Sequence, residues 1–364
     1  MNRSVNRKTQ SGLSLIELMI AMALGLILMV ALGSLFIATS RSNTELQKSA
    51  QQIENGRYAM QLLTEDLKHA GYYGPFSSLP ALGATPDPCQ TGNAALLFDS
   101  LPLPVQAFRA PDLATRPDIS ATTCGTWLTN ANLVPGTDVI VIRRADTTVV
   151  GPADSTVLAD VYIQSTASDA EIQFGNGAAP GTANKADGTA TELVQKNGNA
   201  AEIRKFRVHV YFVAPCSVGT GTDGLCTAND DTIPTLKRLE LRSQGGVRDM
   251  YVTPLAEGIE LIKAEWGIDD QPGTPDATTG LIGDGVVDAY VAAPNAAQLS
   301  NTIAAKLFVL ARNTEPTAGH VDDKTYVLAS AGVATLANPN DAFKRHVFAS
   351  DVLLMNMGGR KEVP

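Results

Sequence analysis

The chain lacks the features that would make it a nucleic-acid binder. Its formal charge is −9, and Arg3, Arg7 and Lys8 near the start form no Lys/Arg-dense stripe elsewhere, so the electrostatic footprint of such a protein is absent. No C-x-x-C pair occurs among its four cysteines, which removes the usual zinc and thioredoxin-type readings. H-E-x-x-H, G-x-S-x-G and the P-loop are missing too, and His69, His209, His320 and His346 are scattered, so no hydrolase or nucleotide signature is present. Gly219 to Gly224 satisfies G-x-G-x-x-G, yet it lies between Cys216 and Cys226 and opens no helical pattern; it reads as a turn. No tandem repeat is found. We expect no enzymatic activity.

What the chain has is size and one long apolar run. With 364 residues and 44% apolar content, it can bury a core in one large domain or two small ones. Leu13 to Ile37 forms a stretch of 25 residues with a single charge, Glu17, long enough to cross a bilayer as a helix and longer than the apolar region of an ordinary cleavable signal. The basic residues before it keep that end in the cytoplasm and send the rest outward, so the chain after about residue 40 is expected in the periplasm. There four cysteines suit two disulfides. Nearest-neighbour pairing joins Cys89 to Cys124 and Cys216 to Cys226, one of three connectivities.

The apolar pattern continues past the membrane. Leu46, Ile53, Met60 and Leu67 recur every seven residues, with Ala50, Leu63 and Ala70 between them, which predicts an amphipathic helix packed on a body by one face. Gly71, Gly74 and Pro75 stop it. A helix over 13–70 would be ~87 Å long at 1.5 Å per residue. Beyond it the chain reads as strands and loops. Ile203 to Val213 alternates, with Phe206, Val208, Val210 and Phe212 on one face and Lys205, Arg207, His209 and Tyr211 on the other, as in a half-buried strand. Further strands are expected at 139–143, 157–164, 236–242, 259–268, 307–311 and 347–355, and the Gly, Pro, Asp and Thr clusters between them point to antiparallel sheet. Residues 175–198 are rich in Gly, Ala, Asn and Thr and read as an exposed loop, or as a linker that divides the body into two lobes, the first around 76–174. The fold class is therefore α+β.

Asp269, Asp270, Asp284 and Asp288, with Gly283 and Gly285 permitting a tight turn, offer oxygen ligands that suit calcium, although the EF-hand spacing is absent. The competing reading is a solvated acidic loop. No other cofactor is implied.

Glu17 is the unusual residue, since a carboxylate within a spanning helix costs ~2.5–3.5 kcal/mol and usually marks function. Ser11-Gly12-Leu13-Ser14-Leu15-Ile16-Glu17-Leu18 resembles the prepilin motif of type IV pilins: a Gly before an apolar helix, and Glu five positions after the cut. The resemblance implies that prepilin peptidase cuts between Gly12 and Leu13 on the cytoplasmic face and that the new Leu13 amine is methylated. Leu13 departs from the commoner Phe. Removing residues 1–12 leaves 25 basic against 37 acidic residues, a formal charge of −12. The resemblance also pairs Glu17 with a neighbouring subunit's Leu13 amine, which would set the stagger between helices. It divides the chain into a leader (1–12), a transmembrane helix (13–40), the outer half of a pilin helix (41–71) and a periplasmic β-rich body (72–364).

Within that class, Glu54-Asn55-Gly56-Arg57-Tyr58-Ala59 running on to Glu65-Asp66-Leu67-Lys68-His69-Ala70-Gly71-Tyr72 is similar to the helix end of the PilW family of minor pilins. So are Tyr211 to Cys216, Leu236 to Leu241, Leu255 to Glu260, Gly267-Ile268-Asp269 with Gly283 to Gly285 and Asp288-Ala289-Tyr290, then Leu310 to Pro316 and Arg345 to Phe348, with 271–282 resembling an insertion. The likeness is dense in the helix and sparse over 76–200. It implies a subunit of the inner membrane and assembled pilus that primes or caps assembly. Its partners would be other minor pilins, the major pilin, prepilin peptidase and a tip adhesin. So large a body would crowd a close-packed shaft, which favours the tip. The nearest alternative is a minor pseudopilin of a type II secretion system, and one of another class is a membrane-anchored periplasmic hydrolase.

Overall fold

The computed structural model describes residues 12, 14–181, 183–190, 193–274, 282–329 and 335–359. Two compact units are present, residues 1–50 and 51–364. The apolar run and the amphipathic stretch after it form one helix, α1 (Leu15–Lys68), which carries neither Pro nor any β-branched run long enough to break it. From Leu15 to Ile37 its large apolar side chains are exposed, each by more than half. Such a surface does not persist in water, and the segment is long and apolar enough to cross a membrane.

In the second unit the buried helix face differs from the expected seven-residue stripe. Gln52, Gly56, Ala59, Met60, Leu63, Asp66 and Leu67 are buried, at the 3–4-residue spacing of one helix face. Leu46, Ala50 and Ile53 are exposed. The seven-residue period misled because the buried face is built partly from Gln, Gly and Asp, which a search for apolar residues passes over.

The body has two principal antiparallel sheets. The first contains β1 (Val105–Phe108), β2 (Val139–Val150), β3 (Val161–Ser165), β4 (Ala170–Phe174), β5 (Glu202–Ala214), β6 (Thr235–Gln244) and β7 (Val247–Glu257). Its order is β1-β2-β5-β3-β4, with β6 pairing the remaining length of β5 and β7 pairing β6. The second contains β8 (Ile259–Ile268), β9 (Ala289–Val291), β10 (Thr302–Arg312) and, after the small hairpin β11 (Thr325–Val327) and β12 (Thr335–Ala337), β13 (Arg345–Leu353). Its order is β13-β10-β8-β9. The chain passes from one sheet to the other at Gly258, whose φ is +73° and where a Cβ would stand 2.5 Å from the Arg312 carbonyl oxygen. Only glycine fits that corner.

Two expectations are corrected here. Residues 175–198 do not divide two lobes, because β3 and β4 before them and β5 after them lie in one sheet; hydrogen bonding across the sheet overrides the composition of the loop. Nor is β5 half-buried. Phe206, Val208, Val210 and Phe212 enter one core with Tyr73, Leu101 and Trp127, while Tyr211 and Val213 on the other face enter a second core with Ala59, Leu63 and Leu67 of α1 and Trp266 of β8. His209 and Tyr211 on the polar face of β5 thus meet the helix at Asp66.

Gly56 sets how closely α1 approaches β13. A Cβ there would stand 2.1 Å from Cε2 of Phe348, so the ring lies directly on the helix backbone. Gln52 Nε2 secures the same contact by donating to the Ala311 and Lys344 carbonyl oxygens at 2.8 and 3.0 Å. Helix propensity favours Gly56→Ala by ~1 kcal/mol, whereas overpacking costs about 1–3 kcal/mol. Thermal melts should therefore show Gly56→Ala lowering Tm, and the loss should shrink when Phe348→Leu is added. An unchanged or raised Tm for Gly56→Ala alone would contradict this packing.

Candidate functional site

The helix start is built by a reciprocal cap. Ser14 precedes Leu15, and its Oγ accepts from the Glu17 backbone N–H at 3.3 Å while Glu17 Oε2 accepts from the Ser14 N–H at 3.4 Å. This is a capping box, with an acidic side chain at the positive end of the helix dipole. Glu17 thus has a local partner within its own chain, a role the sequence spacing Ser-x-x-Glu carries and that was not drawn from it. A Cβ at Gly12 would meet nothing within 4 Å. Leu13 and nearly all of the leader lie outside the described residues.

At the other end of α1 the helix docks on the first sheet through buried charge. Asp66 Oδ2 lies 2.6 Å from His209 Nδ1 and accepts from Tyr211 Oη at 2.8 Å, and its Oδ1 accepts from Arg144 Nε at 2.6 Å. Arg207 bridges Asp146 and Glu240 at 2.9 and 3.0 Å, and Arg238 reaches Glu240 at 2.9 Å. Burial alone would raise the Asp66 carboxyl, but the charge and hydrogen bonds of His209 and Arg144 hold it well below the usual range. Glu240, against the same burial, is held at about 2 by His209, Arg238 and Arg207. His209 moves the opposite way: burial would lower it, and Asp66 with Glu240 raises it. Asp66 and His209 resemble two members of a hydrolytic triad, but both are buried and Asp66 also accepts from Tyr211 and Arg144, an arrangement that fastens the helix to the sheet.

The cysteines pair as Cys89–Cys124 and Cys216–Cys226, with Cα–Cα distances of 5.2 and 5.8 Å. The first pins the irregular segment covering one face of the first sheet, and the second closes the loop between β5 and β6, where the G-x-G-x-x-G stretch lies.

Three carboxylates of the acidic group accept from backbone N–H groups. Asp269 accepts the backbone N–H groups of Asp284 and Gly285 at 3.0 and 2.9 Å, Asp288 accepts those of Asp270 and Gln271 at 2.9 Å, and Asp284 accepts that of Val286 at 3.0 Å. Among the described residues no three His, Cys, Asp or Glu side chains converge on a point where a metal ion would sit. Asp269 and Asp288 satisfy the backbone of the loop between β8 and β9. Residues 275–281, the centre of the expected insertion, lie outside the described residues.

Residues 7–33 match the prokaryotic N-terminal methylation motif, spanning Gly12, Ser14 and Glu17. Residues 210–356 match the family of Type IV Pilus-assembly protein W, from the middle of β5 through β13. Among solved structures, a type IV-like pilin from Thermus thermophilus aligns at 11% identity and a TM-score of 0.33, over 84% of this chain and 97% of that one. No curated protein matches the chain. The chain thus carries a prokaryotic N-terminal methylation motif at its start and, from the end of the first sheet through the second, a region similar to the Type IV Pilus-assembly protein W family.

Proposed function

We propose that this protein is a minor pilin that primes or caps assembly of a type IV pilus, entering the inner membrane through the first part of α1 with its β body in the periplasm. The observation that carries the reading is the exposed apolar surface from Leu15 to Ile37, beginning directly after Gly12 and capped by Ser14 and Glu17. An exposed run of that length needs either lipid or the helices of other subunits around it, and a pilin meets both in turn. Other minor pilins, the major pilin and prepilin peptidase are the partners this implies, and a large body favours the tip, where a tip adhesin would sit.

Processing provides the test. The mature protein should begin at Leu13 with an N-methyl group. Gly12→Phe should leave Met1 in place, because the peptidase needs a small residue before the cut, while thermal stability of the body is unchanged, since nothing packs at Gly12. Mass spectrometry of the membrane fraction and of sheared pili reads both. A wild-type N-terminus at Met1, or one near residue 41, would remove the basis of the proposal. Normal fibre numbers in a deletion strain would remove the assembly role.

A further inference from the structure

The loop that Cys216 and Cys226 close contains a buried cation with unusual partners. Lys237, on β6, is 1% exposed, and its Nζ lies 3.4 Å from Cys216 Sγ and 3.6 Å from Cys226 Sγ. A buried ammonium is ordinarily found against a carboxylate, because desolvation is otherwise uncompensated. Among the described residues the acids that act on it, Asp230 and Asp231, are engaged elsewhere. Asp230 accepts from Thr220 Oγ1 at 2.6 Å and from the Thr220 and Thr227 backbone N–H groups at 3.1 and 2.7 Å. Asp231 accepts from the Ser217 and Ile233 N–H groups at 2.9 Å each and from Ser217 Oγ at 2.5 Å. They act on Lys237 only through space, and burial pulls its ammonium below its ordinary value.

The other disulfide has the opposite surroundings. Asp87 sits between its halves, Oδ1 accepting from the Cys89 N–H at 3.0 Å and Oδ2 from the Thr123 N–H at 2.9 Å. A carboxylate there disfavours a thiolate, whereas an ammonium beside sulfur stabilises one. Both cysteines of the Lys237 bridge also line an open groove of ≈ 560 Å³ together with Pro215, Thr227, Pro234 and Arg312.

We propose that Cys216–Cys226 is a thiol-exchange site for dithiol reductants, in which the Lys237 ammonium carries the charge of the departing thiolate. Cys226 is the more exposed of the two residues, at 8% against 1% for Cys216. An incoming thiolate attacks Cys226 Sγ, the S–S bond breaks, and its electron pair leaves on Cys216 Sγ, the sulfur nearer Nζ. The second thiolate of the reductant then attacks its own sulfur in the mixed disulfide and releases Cys226. The protein bridge gains two electrons and the dithiol becomes a cyclic disulfide. Asp230 and Asp231 keep the loop folded through their contacts with Thr220, Thr227 and Ser217, so the two thiols stay close and the bridge can re-form.

The experiment uses full-length protein in detergent with dithiothreitol as the probe, timed alkylation, and peptide mass spectrometry that scores the two bridges separately. Cys216–Cys226 should open about tenfold faster than Cys89–Cys124, the size of effect a leaving thiol of lowered pKa produces. Lys237→Met should remove most of that difference and Lys237→Arg should keep it, with Cys89–Cys124 as internal reference. Iodoacetamide alkylation of the reduced wild type should place one thiol of the pair below the ordinary value of about 8.5, a readout that does not depend on a variant folding. Equal opening rates in the wild type, an unchanged difference in Lys237→Met, or thiols titrating at or above the ordinary value would each overturn the proposal.

Discussion

Replacing Asp66 by Ala should destabilise the β body by about 3–5 kcal/mol, the cost of removing one partner from a buried charged pair. The substitution leaves His209 and Tyr211, 3% and 1% exposed, facing a helix surface with no acceptor, and leaves the Arg144 guanidinium with Asp146 as its remaining carboxylate partner. Asp66→Asn should cost less, since the amide oxygen still accepts one hydrogen bond while the charge is lost. The same network sets a pH window. Asp66 and Glu240 are held below their ordinary values, so their contribution is present above about pH 4 and fades as pH falls through the folded values. His209 is raised, so its contribution is complete below about pH 6.5 and fades as pH rises through its folded value. Stability from this network should therefore be greatest between about pH 4 and pH 6.5. Chemical denaturation across pH reads it: Asp66→Asn should flatten the acid limb and His209→Gln the alkaline limb. A wild-type profile without either limb, or an Asp66→Ala loss below about 1 kcal/mol, would show that the helix is held by apolar packing alone.

That network marks the boundary of what the sequence made visible. The helix was legible because its apolar run is long and its stop signals, Gly71 to Pro75, are clustered. The strands at 139–143, 203–213, 236–242 and 259–268 were legible because they are rich in Val, Ile, Leu and Phe, and the structure widens them by a few residues at most apart from β2, which runs on to Val150. Strand β7 was missed since Val247 to Glu257 shows no period-2 alternation, with Arg248 and Asp249 adjacent and Pro254 inside it, and Pro is tolerated there at the edge of the sheet. The partnership of Asp66 with His209 could not be read, because 143 residues separate them and neither lies in a spaced motif. One signal was available: a strand reading Arg-Val-His-Val-Tyr with Phe on its other face presents too many hydrogen-bonding groups for a core unless a charged element covers it. The acidic group left two readings open, calcium ligands or an acidic loop. Carboxylates next to glycine turns satisfy backbone N–H groups as readily as they bind a cation, and composition does not distinguish the two.

Glu17→Ala should insert in the membrane at least as well as the wild type, because a carboxylate is removed from an apolar helix, yet be largely lost from assembled fibres. Two roles of Glu17 must be separated to make that outcome informative. Within its own chain it closes the capping box with Ser14 through bonds of 3.3 and 3.4 Å on exposed atoms, which are long and contribute on the order of 1 kcal/mol at most. Between chains, it is proposed to meet the methylated amine of a neighbour's Leu13, an ion pair in a low-dielectric setting and correspondingly stronger. Three variants resolve the roles. Ser14→Ala removes the cap and keeps the charge, Glu17→Gln keeps a capping acceptor at that position and removes the charge, and Glu17→Ala removes both. Each is expressed in a strain lacking the wild-type protein, with fibres counted by electron microscopy and immunoblots of membrane and sheared fractions. Ser14→Ala should restore fibres, whereas Glu17→Gln and Glu17→Ala should both accumulate in the membrane fraction without entering fibres. Fibres restored by Glu17→Gln would assign the residue to the cap, and fibres restored by Glu17→Ala at wild-type stoichiometry would refute the pairing between subunits.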